Sequence, residues 1–531
     1  MQAKLSLLAL MLACLVGDTV NANATDLYVS QQATGLANGQ DCANPLDVTH
    51  FNTLAYWVIT NPVGTQIGPG TTVHLCGTLT TALSFQGSGT SGNPITLLFE
   101  PGAALNAPYW GTNSGSISQA AINVIGQSYI VINGQNTGSI SATANGTSLT
   151  YQNNSAGIYV SGGSNVTVEN LAISNMYVHV ANSSTSGGNA GNSSVGIQVN
   201  QSNSFTAAGN TIHDATNGIF MGYASSTTGF TVSGNTIYNC NWGIASGDNG
   251  SNSNLSGVNI YGNTIHDASN WDDTNDDYHH NGIYFWAVQG GSNVNAPNIY
   301  NNYIYGNMNQ CSPNSCATGW ISLLIGGSPV GTFTSPNIFN NVLVSTAANS
   351  YAGNGFITFA GSNALISNNT IIGFSKSYGI GIDYGPQSGA TLYNNIIENF
   401  SYFILVNSGS SLSASDYNDF YNLNNGFQYQ GTGYGSLAAW NGGTGFDANS
   451  ITSNPKVNSS YQLSSGSAAI GAAANLYSVC NGQPIPGLGA LCYDLNGVAR
   501  PATGNWSMGA YAIGSTHPPA PPTGLTAVIS Q

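Results

Sequence analysis

A short phrase, Asn followed by any residue and then by Ile or Leu, recurs through the middle of the chain at intervals of 25 to 39 residues. Its occurrences are Asn210-Thr-Ile212, Asn235-Thr-Ile237, Asn263-Thr-Ile265, Asn302-Tyr-Ile304, Asn341-Val-Leu343, Asn369-Thr-Ile371 and Asn394-Asn-Ile396. Such spacing is typical of a solenoid, in which each repeat is one coil and a longer interval marks a coil with an inserted loop. Because the Asn residues fall at one corner, we expect their amides to form a hydrogen-bonded ladder along the axis.

A second phrase, Gly followed by an apolar residue, comes after the first in most coils. Examples are Gly157-Ile158, Gly196-Ile197, Gly218-Ile219, Gly243-Ile244, Gly282-Ile283, Gly355-Phe356 and Gly379-Ile380. The residues after it alternate with the period of a strand, which places Ile283 and Phe285 inside and Tyr284 and Trp286 outside. The same alternation places Asp383 outside. Stretches of ten or more residues with helical periodicity are missing between the phrases, which argues against an α/β fold.

Between about residues 90 and 410 this pattern resembles that of the extracellular parallel β-helix proteins, which include pectate lyases, polygalacturonases and related polysaccharide-active enzymes. Three later segments resemble the C-terminal closure of such proteins: Ser415–Tyr421, Ser467–Gly471 and Trp506–Tyr511. The resemblance implies an all-β fold, a single-stranded right-handed parallel β-helix, and a polysaccharide as partner. The paired-aspartate and Gly-His-Gly motifs of polygalacturonases are missing from the sequence, and the only arginine lies outside the repeats, at Arg500.

The beginning of the sequence has the pattern of an export signal. Lys4 is followed by the apolar stretch Leu5–Val16 and by the cleavage-site pattern Ala22-Asn-Ala24. We therefore predict a secreted, extracellular protein. The predicted organisation is a signal peptide at 1–24, a cap with the first strands at 25–90, β-helix repeats at 91–410, a closure at 411–514, and at 515–531 a Pro-rich linker leading into a segment that resembles the start of a fibronectin type III module.

The composition limits the partners of this chain. Charged residues make up 4% of the sequence and the net charge is −15, while hydrophobic residues reach 41%. The chain can bury a core, but it offers few cations to nucleic acid or to an anionic membrane, so neither is an expected partner. A polyuronate would also be repelled unless a metal ion intervened.

Export permits disulfide bonds, and proximity along the chain predicts three of them. The predicted pairs are Cys42–Cys76, Cys311–Cys316 and Cys480–Cys492, which leaves Cys240 unpaired and buried.

The distance between the two phrases predicts where surface loops stand. It is short in the coils Ile212–Ile219 and Ile237–Ile244 and much longer in the later coils Ile265–Ile283 and Ile304–Trp320. Long loops stacked at one corner would form the walls of a cleft, and the two short coils would form its floor. The floor would present Phe220, Tyr223, Trp242 and Asp248, with His213 and Asp214 in the adjoining turn.

An acidic, histidine-bearing segment precedes the strand that carries Tyr284 and Trp286. It contains Asp272, Asp273, Asp276, Asp277, Tyr278, His279 and His280. In a chain this poor in charge, we expect such a concentration to be functional. Outward aromatic rings bind sugars by stacking on them. The predicted substrate-binding residues are Tyr284, Trp286, Trp242, Tyr223, Tyr278 and Asp383.

Glycoside hydrolysis is the reaction that this cluster favours. It needs one protonated and one ionised carboxyl group across the scissile bond, and crowding of carboxylates raises the pKa of one of them. The predicted acid and base come from Asp272, Asp273, Asp276 and Asp277. Asp248 or Asp214 would supply the carboxyl group across the cleft. The scarcity of basic residues favours a neutral or weakly charged glycan.

Three alternatives remain open at this point. The four Asp residues of the segment could hold Ca²⁺ against a uronate, in a lyase or epimerase whose base is Lys376, or His279 or His280 paired with Tyr278. They could also bind Ca²⁺ only to stiffen the loop. The chain could also be a non-catalytic, adhesin-like protein that binds sugars through Tyr284 and Trp286. His213 and His266 occupy the place that Tyr238 and Tyr305 hold in other coils, which predicts a structural role for both histidines.

Overall fold

The computed structural model describes residues 26–111, 119–144, 155–176, 194–268, 280–308, 319–325, 330–345, 355–373, 378–383 and 388–512. Across these residues the chain winds as a right-handed parallel β-helix, which confirms the predicted fold. Each coil contributes up to four strands, and equivalent strands of successive coils pair in parallel and in register. The coils therefore stack about 4.8 Å apart, which is the ordinary strand spacing.

The first sheet runs along one side of the helix and has 14 strands within the described residues. Its strands are Asp26–Ser30, Leu46–Asp47, Thr72–Leu75, Ile95–Phe99, Ile130–Asn133, Ser164–Glu169, Asn203–Ala208, Phe230–Ser233, Asn259–Tyr261, Asn298–Tyr300, Asn337–Phe339, Leu365–Ser367, Ala390–Tyr393 and Leu412–Asp416.

The other two sides are called here the second and third columns of strands. The second column contains Thr78–Leu79, Ala104–Ala107, Ser139–Ala142, Ala172–Ser174, Thr264–His266, Tyr303–Tyr305, Val342–Val344, Thr370–Ile372, Ile396–Glu398 and Asp419–Tyr421. The third column contains Leu83–Ser84, Ile122–Ile125, Ala156–Ser161, Val195–Asn200, Asn281–Ala287, Gly319–Ile325, Ile357–Phe359, Tyr378–Ile382, Tyr402–Val406, Gly426–Tyr429 and the antiparallel Thr432–Tyr434.

Two long strands, Thr211–Tyr223 and Thr236–Asp248, belong to both columns and join them into one sheet. They turn the corner at Asp214 and Asn239, whose φ angles are 55° and 51°. No loop is inserted in these two coils, as the short spacing of the phrases predicts.

A smaller sheet and a few short helices complete the described secondary structure. The small sheet consists of Thr227–Thr228, Asn254–Ser256, Asn293–Asn295 and Thr332–Thr334. The helices are Val48–Asn52, Leu54–Tyr56, Leu437–Thr444, Tyr477–Cys480 and Leu488–Cys492. Within the described part of the chain, no helix is long and apolar enough to cross a membrane.

The core lies inside the coils, where aliphatic side chains of successive strands stack in rows. One such row is formed by Ile197, Ile219, Ile244, Ile283 and Ile321, all fully buried. Burying each such side chain contributes about 1.5–3 kcal/mol to folding. The rows therefore explain how a chain so poor in charged residues folds.

The asparagine ladder is present at the corner before the second column. In each of its steps, the Nδ2 of one buried Asn donates to the Oδ1 of the next at 2.9–3.0 Å. Its members are Asn210, Asn235, Asn263, Asn302, Asn341, Asn369, Asn395 and Asn418.

The predicted register is wrong by one residue in one coil. The ladder uses Asn395 rather than Asn394, and the core residue that pairs with Ile371 is Ile397 rather than Ile396. Asn394 instead bonds to Ala474 of the C-terminal segment through both its Oδ1 and its Nδ2.

The C-terminal segment packs back on the outside of the helix. Trp506 and Met508 contact the outward residues Tyr300, Phe339 and Ile396 in a second hydrophobic cluster. Arg500 is only 3% exposed, and its guanidinium donates to Asn340 Oδ1 at 2.9 Å. The only arginine of the chain therefore holds the closure in place.

Two of the predicted disulfides are present, Cys42–Cys76 and Cys480–Cys492. Cys240 is a free, buried cysteine, as predicted. Burial raises the pKa of its thiol to about 12. The predicted Cys311–Cys316 pair lies outside the described residues.

Candidate functional site

Four aromatic rings meet on the outer face of the third column. Phe220, Trp242, Tyr284 and Trp286 are each half-buried, and we call this group the aromatic platform. The ring centroids are 5.0 Å apart for Tyr284 and Trp286, 5.1 Å for Trp242 and Tyr284, and 5.5 Å for Phe220 and Trp286. Outward-facing aromatic side chains form a surface on which sugar rings can stack.

Strand alternation places three of these rings, those of Phe220, Tyr284 and Trp286, on the outer face. Ile283 and Phe285 are fully buried, so Tyr284 and Trp286 between them face outward, as predicted. The strand between Phe220 and Tyr284 carries Ala245 opposite both of them. Its small side chain leaves space above the strand, and rings from both neighbouring coils extend over it.

Gly247 makes room for the indole of Trp286, and the repeated sequence phrases do not identify this glycine. It pairs in register with Trp286, and a Cβ at Gly247 would stand 2.0 Å from two atoms of the indole. The indole therefore lies directly on the glycine backbone. A glycine inside a strand often marks such a close approach, and this is the signal that could have identified it.

Tyr223 faces the core, so the prediction that it binds substrate is wrong. It stands four residues after the buried Ile219, on the same side of the strand, and is fully buried. Its hydroxyl donates to the carbonyl oxygen of Trp286 at 2.8 Å. Burial, followed by the charge of Asp248, raises the pKa of the phenol above its ordinary value. Tyr223 thus supports the strand beneath the platform instead of touching a ligand.

Asp248 also lies on the inner side of its strand, which corrects its assignment to the cleft floor. It pairs in register with Tyr223, is 7% exposed, and accepts the backbone N–H of Gln289 at 2.6 Å through Oδ2. A carboxylate in this position cannot face a scissile bond on the outer surface. Its predicted catalytic role is therefore not supported by the structure.

Most of the predicted catalytic residues lie outside the described part of the chain. These are Asp272, Asp273, Asp276, Asp277, Tyr278, His279 and Lys376, together with most residues of the long loops predicted to form the cleft walls. Their roles, the cleft and the Ca²⁺ site stay predictions. Within the described ranges, no group of three or more His, Cys, Asp or Glu side chains is placed to hold a metal ion.

His280 is the last residue of the acidic segment and is described. It immediately precedes the strand Asn281–Ala287, and its carbonyl oxygen accepts the N–H of Gly319 at 3.1 Å. The residue is fully buried, so its imidazole has no surface to offer a polysaccharide in this conformation.

Asp383 lies on the outer face of the third column, as predicted. It follows the buried Ile382, is itself half-buried, and accepts a hydrogen bond from the side-chain amide of Asn407 in the next coil. Pairing of the intervening strands places Asp383 three coils from Trp286, a distance of about 14 Å at the ordinary strand spacing. The structure thus places a carboxyl group on the same face as the platform.

A stack of rings along the outer face of the second column supports the structural role predicted for two histidines. The stacked ring pairs are His213 with Tyr238 at 4.6 Å, Tyr238 with His266 at 5.0 Å, and His266 with Tyr305 at 5.0 Å. Each histidine bonds through Nδ1 to the Asp that follows it, at 2.6 Å and 2.8 Å.

Asp214 and Asp267 are the carboxyl groups of these His–Asp pairs. Burial opposes ionisation of Asp267, but hydrogen bonds from the Asn307 N–H and from His266 outweigh it and lower the pKa of this carboxyl. Asp214 is engaged by His213 and by the amide of Asn239. Both carboxylates therefore belong to the corner, and the prediction that Asp214 faces across a cleft is not supported.

Among the comparisons with known proteins, only the one with solved structures finds matches. No family model matches the sequence, and no curated protein matches it. The fold is similar to GH136 lacto-N-biosidase from Eubacterium ramulus, at 11% identity and a TM-score of 0.43, covering 76% of this chain and 68% of that one. It is also similar to pectate lyase Pel9A, at 15% identity and a TM-score of 0.41, covering 92% of this chain and 96% of that one. The fold is similar as well to the family 28 exopolygalacturonase of Yersinia enterocolitica. The identity is 12% and the TM-score 0.39, and the match covers 68% of this chain and 74% of that one.

Proposed function

We propose that this protein is exported and acts on an extracellular polysaccharide, whose glycosidic bonds it hydrolyses. The observation that carries the proposal is the aromatic platform. Four half-buried rings on one outer face of a rigid β-helix form a preformed surface for sugar rings. The two disulfides are consistent with an oxidising compartment outside the cytoplasm.

The placement of the two basic residues within the described ranges favours a neutral or weakly charged glycan. Arg500 is buried beneath the C-terminal segment, where its guanidinium donates to Asn340 and to two backbone carbonyls. Lys456 lies in the same segment, and its ammonium donates to the Gly466 carbonyl at 3.1 Å. Neither cation is therefore placed on the platform to meet the carboxylate of a uronate.

We assign the acid and base of the reaction to the acidic segment, as predicted from the sequence. Asp272, Asp273, Asp276 and Asp277 precede in sequence the strand that carries Tyr284 and Trp286. One carboxyl group would donate a proton to the leaving oxygen, and a second would act as base or nucleophile. Since Asp248 faces the core, Asp383 takes its place as the carboxylate on the same face.

A non-catalytic, sugar-binding protein is the second candidate. The burial of both Asp248 and His280, each predicted to be catalytic, favours it because the platform by itself needs neither residue. In this case the protein would retain a glycan without releasing products.

A screen on polysaccharides distinguishes these functions. The purified protein is incubated with neutral and uronate-containing polymers, with Ca²⁺ or with EDTA, and both new reducing ends and the ultraviolet absorbance of unsaturated products are followed. Hydrolysis predicts reducing ends without that absorbance, insensitive to EDTA and lost in Asp273→Asn. Both signals together, abolished by EDTA, would instead support a Ca²⁺-dependent lyase with Lys376 as base. Retention on a polymer without any product would support the binding protein.

A further inference from the structure

A concave surface lies toward the N-terminal end of the helix. It encloses about 650 Å³ at the corner between the second and third columns. The residues that matter for its chemistry are Thr80, Ser84, Tyr109, Trp110, Gln119 and Asn123. This volume is within the range of small-ligand sites.

One wall of this cavity carries an exposed aromatic ring. Tyr109 is 37% exposed, whereas the adjacent Trp110 is 3% exposed. The indole N–H of Trp110 donates to the Ser141 carbonyl at 2.9 Å, and its backbone N–H donates to Ser155 Oγ at 3.0 Å. These bonds hold Trp110, and with it the backbone of the adjacent Tyr109, against the helix.

The floor of the cavity is also fixed by hydrogen bonds. Asn123 Oδ1 accepts the Ala120 N–H at 2.9 Å, and its Nδ2 donates to the carbonyls of Ala120 at 3.0 Å and Leu83 at 3.2 Å. Among the described lining residues, Thr80 and Gln119 also carry exposed polar side chains, and the Thr80 hydroxyl donates to Gln31 Oε1 at 3.2 Å. Every lining residue within the described part of the chain is uncharged. A phenol ring beside hydroxyl and amide groups, without charge, has the chemistry of a site for a neutral sugar.

The cavity and the aromatic platform lie along the same outward row of the third column. Strand pairing connects Ser84, Asn123, Tyr159, Gln198 and Phe220 in successive coils. Asn123 is therefore three coils from Phe220, or about 14 Å at the ordinary strand spacing.

We propose that this cavity is a second sugar-binding site, which holds a distal part of the same neutral polysaccharide chain that stacks on the aromatic platform. The proposal rests on the proposed function for the identity of its ligand. It adds that the protein binds long chains more tightly than short ones, because two sites on one rigid scaffold act on one polymer.

The test is a binding measurement that does not depend on catalysis. Wild type, Tyr109→Ala, Gln119→Ala and Trp286→Ala are run in native gels containing mixed-linkage β-glucan, galactomannan or xylan. Oligosaccharides of the polymer that retards the wild type, from two to eight residues long, are then titrated by calorimetry. Tyr493→Ala, which removes an equally exposed tyrosine ring from the C-terminal segment, is the control.

The expected result is that Tyr109→Ala weakens binding of the polymer and of the longest oligosaccharides roughly tenfold, as loss of one stacking ring would, and leaves disaccharide binding unchanged. Gln119→Ala should weaken binding in the same direction, and Tyr493→Ala should bind like the wild type. If Trp286→Ala loses retention while Tyr109→Ala and Gln119→Ala keep it in full, the second site is wrong and the proposed function stands. If the wild type is retarded by none of the three polymers, both proposals are wrong.

Discussion

The indole of Trp286 lies over the backbone of Gly247, its paired residue in the preceding coil. A Cβ at Gly247 would stand 2.0 Å from Cε2 and from Cζ2 of the indole, closer than any side-chain carbon can approach. In this position the indole spans the coil that contains Gly247. Its ring centroid lies 5.5 Å from that of Phe220, which belongs to the coil before. The geometry of the aromatic platform therefore depends on a residue that contributes no side chain to it.

Gly247→Ala should displace the Trp286 indole, because the added methyl group occupies the place of the ring. Glycan affinity should fall roughly tenfold, while the β-helix remains folded. Affinity electrophoresis and tryptophan fluorescence measure both effects. The control is Gly433→Ala, since a Cβ at Gly433 meets no atom within 4 Å. Unchanged affinity and fluorescence in Gly247→Ala would show that the indole does not need this position.

Asn302→Ala should destabilise the helix strongly. Asn302 is fully buried and accepts from the backbone N–H and Nδ2 of Asn263, while its own Nδ2 donates to Asn341 and to the Ile260 carbonyl. Each buried group left without a hydrogen bond costs about 1–3 kcal/mol, so the free energy of unfolding should fall by several kcal/mol. Guanidinium denaturation provides the measurement.

Asn298→Ala is the matched control for the ladder. It removes an amide from the outer, half-buried row of the first sheet, where Asn298 bonds to Asn259 and Asn337. We expect a loss well below that of Asn302→Ala. Equal losses for the two variants would contradict a special role of the buried ladder.

The sequence predicts the coils better than it predicts their corners. The Asn-x-Ile phrase identifies the ladder because the same amide is needed in every coil, and the alternation around Ile283 correctly separates core from surface. It fails at Asn394-Asn395, where two adjacent asparagines both fit the phrase and only the bond to Ala474 distinguishes them.

Alternation along the strands also predicts part of the site, because it places Tyr284 and Trp286 outside. The same alternation puts Tyr223 and Asp248 inside, since each stands four residues after a buried Ile. The prediction that these two residues lie on a cleft floor therefore disregards it. The contact of Trp286 with Gly247 and the cavity beside Tyr109 depend on which coils are adjacent and on how their turns pack. Sequence spacing alone does not contain this information.

Stability should fall as the pH rises, because of Asp419. Burial, followed by the charge of Glu398, raises the pKa of Asp419 from 3.8 to about 8, and neither of its carboxyl oxygens has a hydrogen-bond partner within the described residues. Since the folded state holds this proton more tightly than the unfolded chain, the stabilisation is present in full below about pH 4 and is lost as the pH rises through about 8.

The variant Asp419→Asn isolates this contribution, because it keeps the shape of the side chain and cannot ionise. Relative to wild type, its melting temperature should rise progressively between pH 5 and pH 9. Thermal unfolding followed by circular dichroism at several pH values gives this difference. A difference that stays constant over the whole range would mean that Asp419 does not titrate in this interval.

Tyr223→Phe should affect stability and leave binding unchanged. The substitution removes the hydroxyl that donates to the Trp286 carbonyl at 2.8 Å inside the core, at a cost of about 1 kcal/mol. Because the ring faces inward, retention on a polysaccharide should equal that of the wild type. Loss of retention without loss of stability would show instead that the phenol reaches the ligand.

The most direct measurement is retention of Trp286→Ala on the polysaccharide that the wild type binds, together with its rate of reducing-end release. The control is Tyr305→Ala, which removes a half-buried ring from the stack on the second column, where it contacts His266. We predict that Trp286→Ala loses at least tenfold in both retention and release, while Tyr305→Ala keeps both. Full retention and release by a folded Trp286→Ala would contradict the assignment of the aromatic platform as the polysaccharide-binding surface.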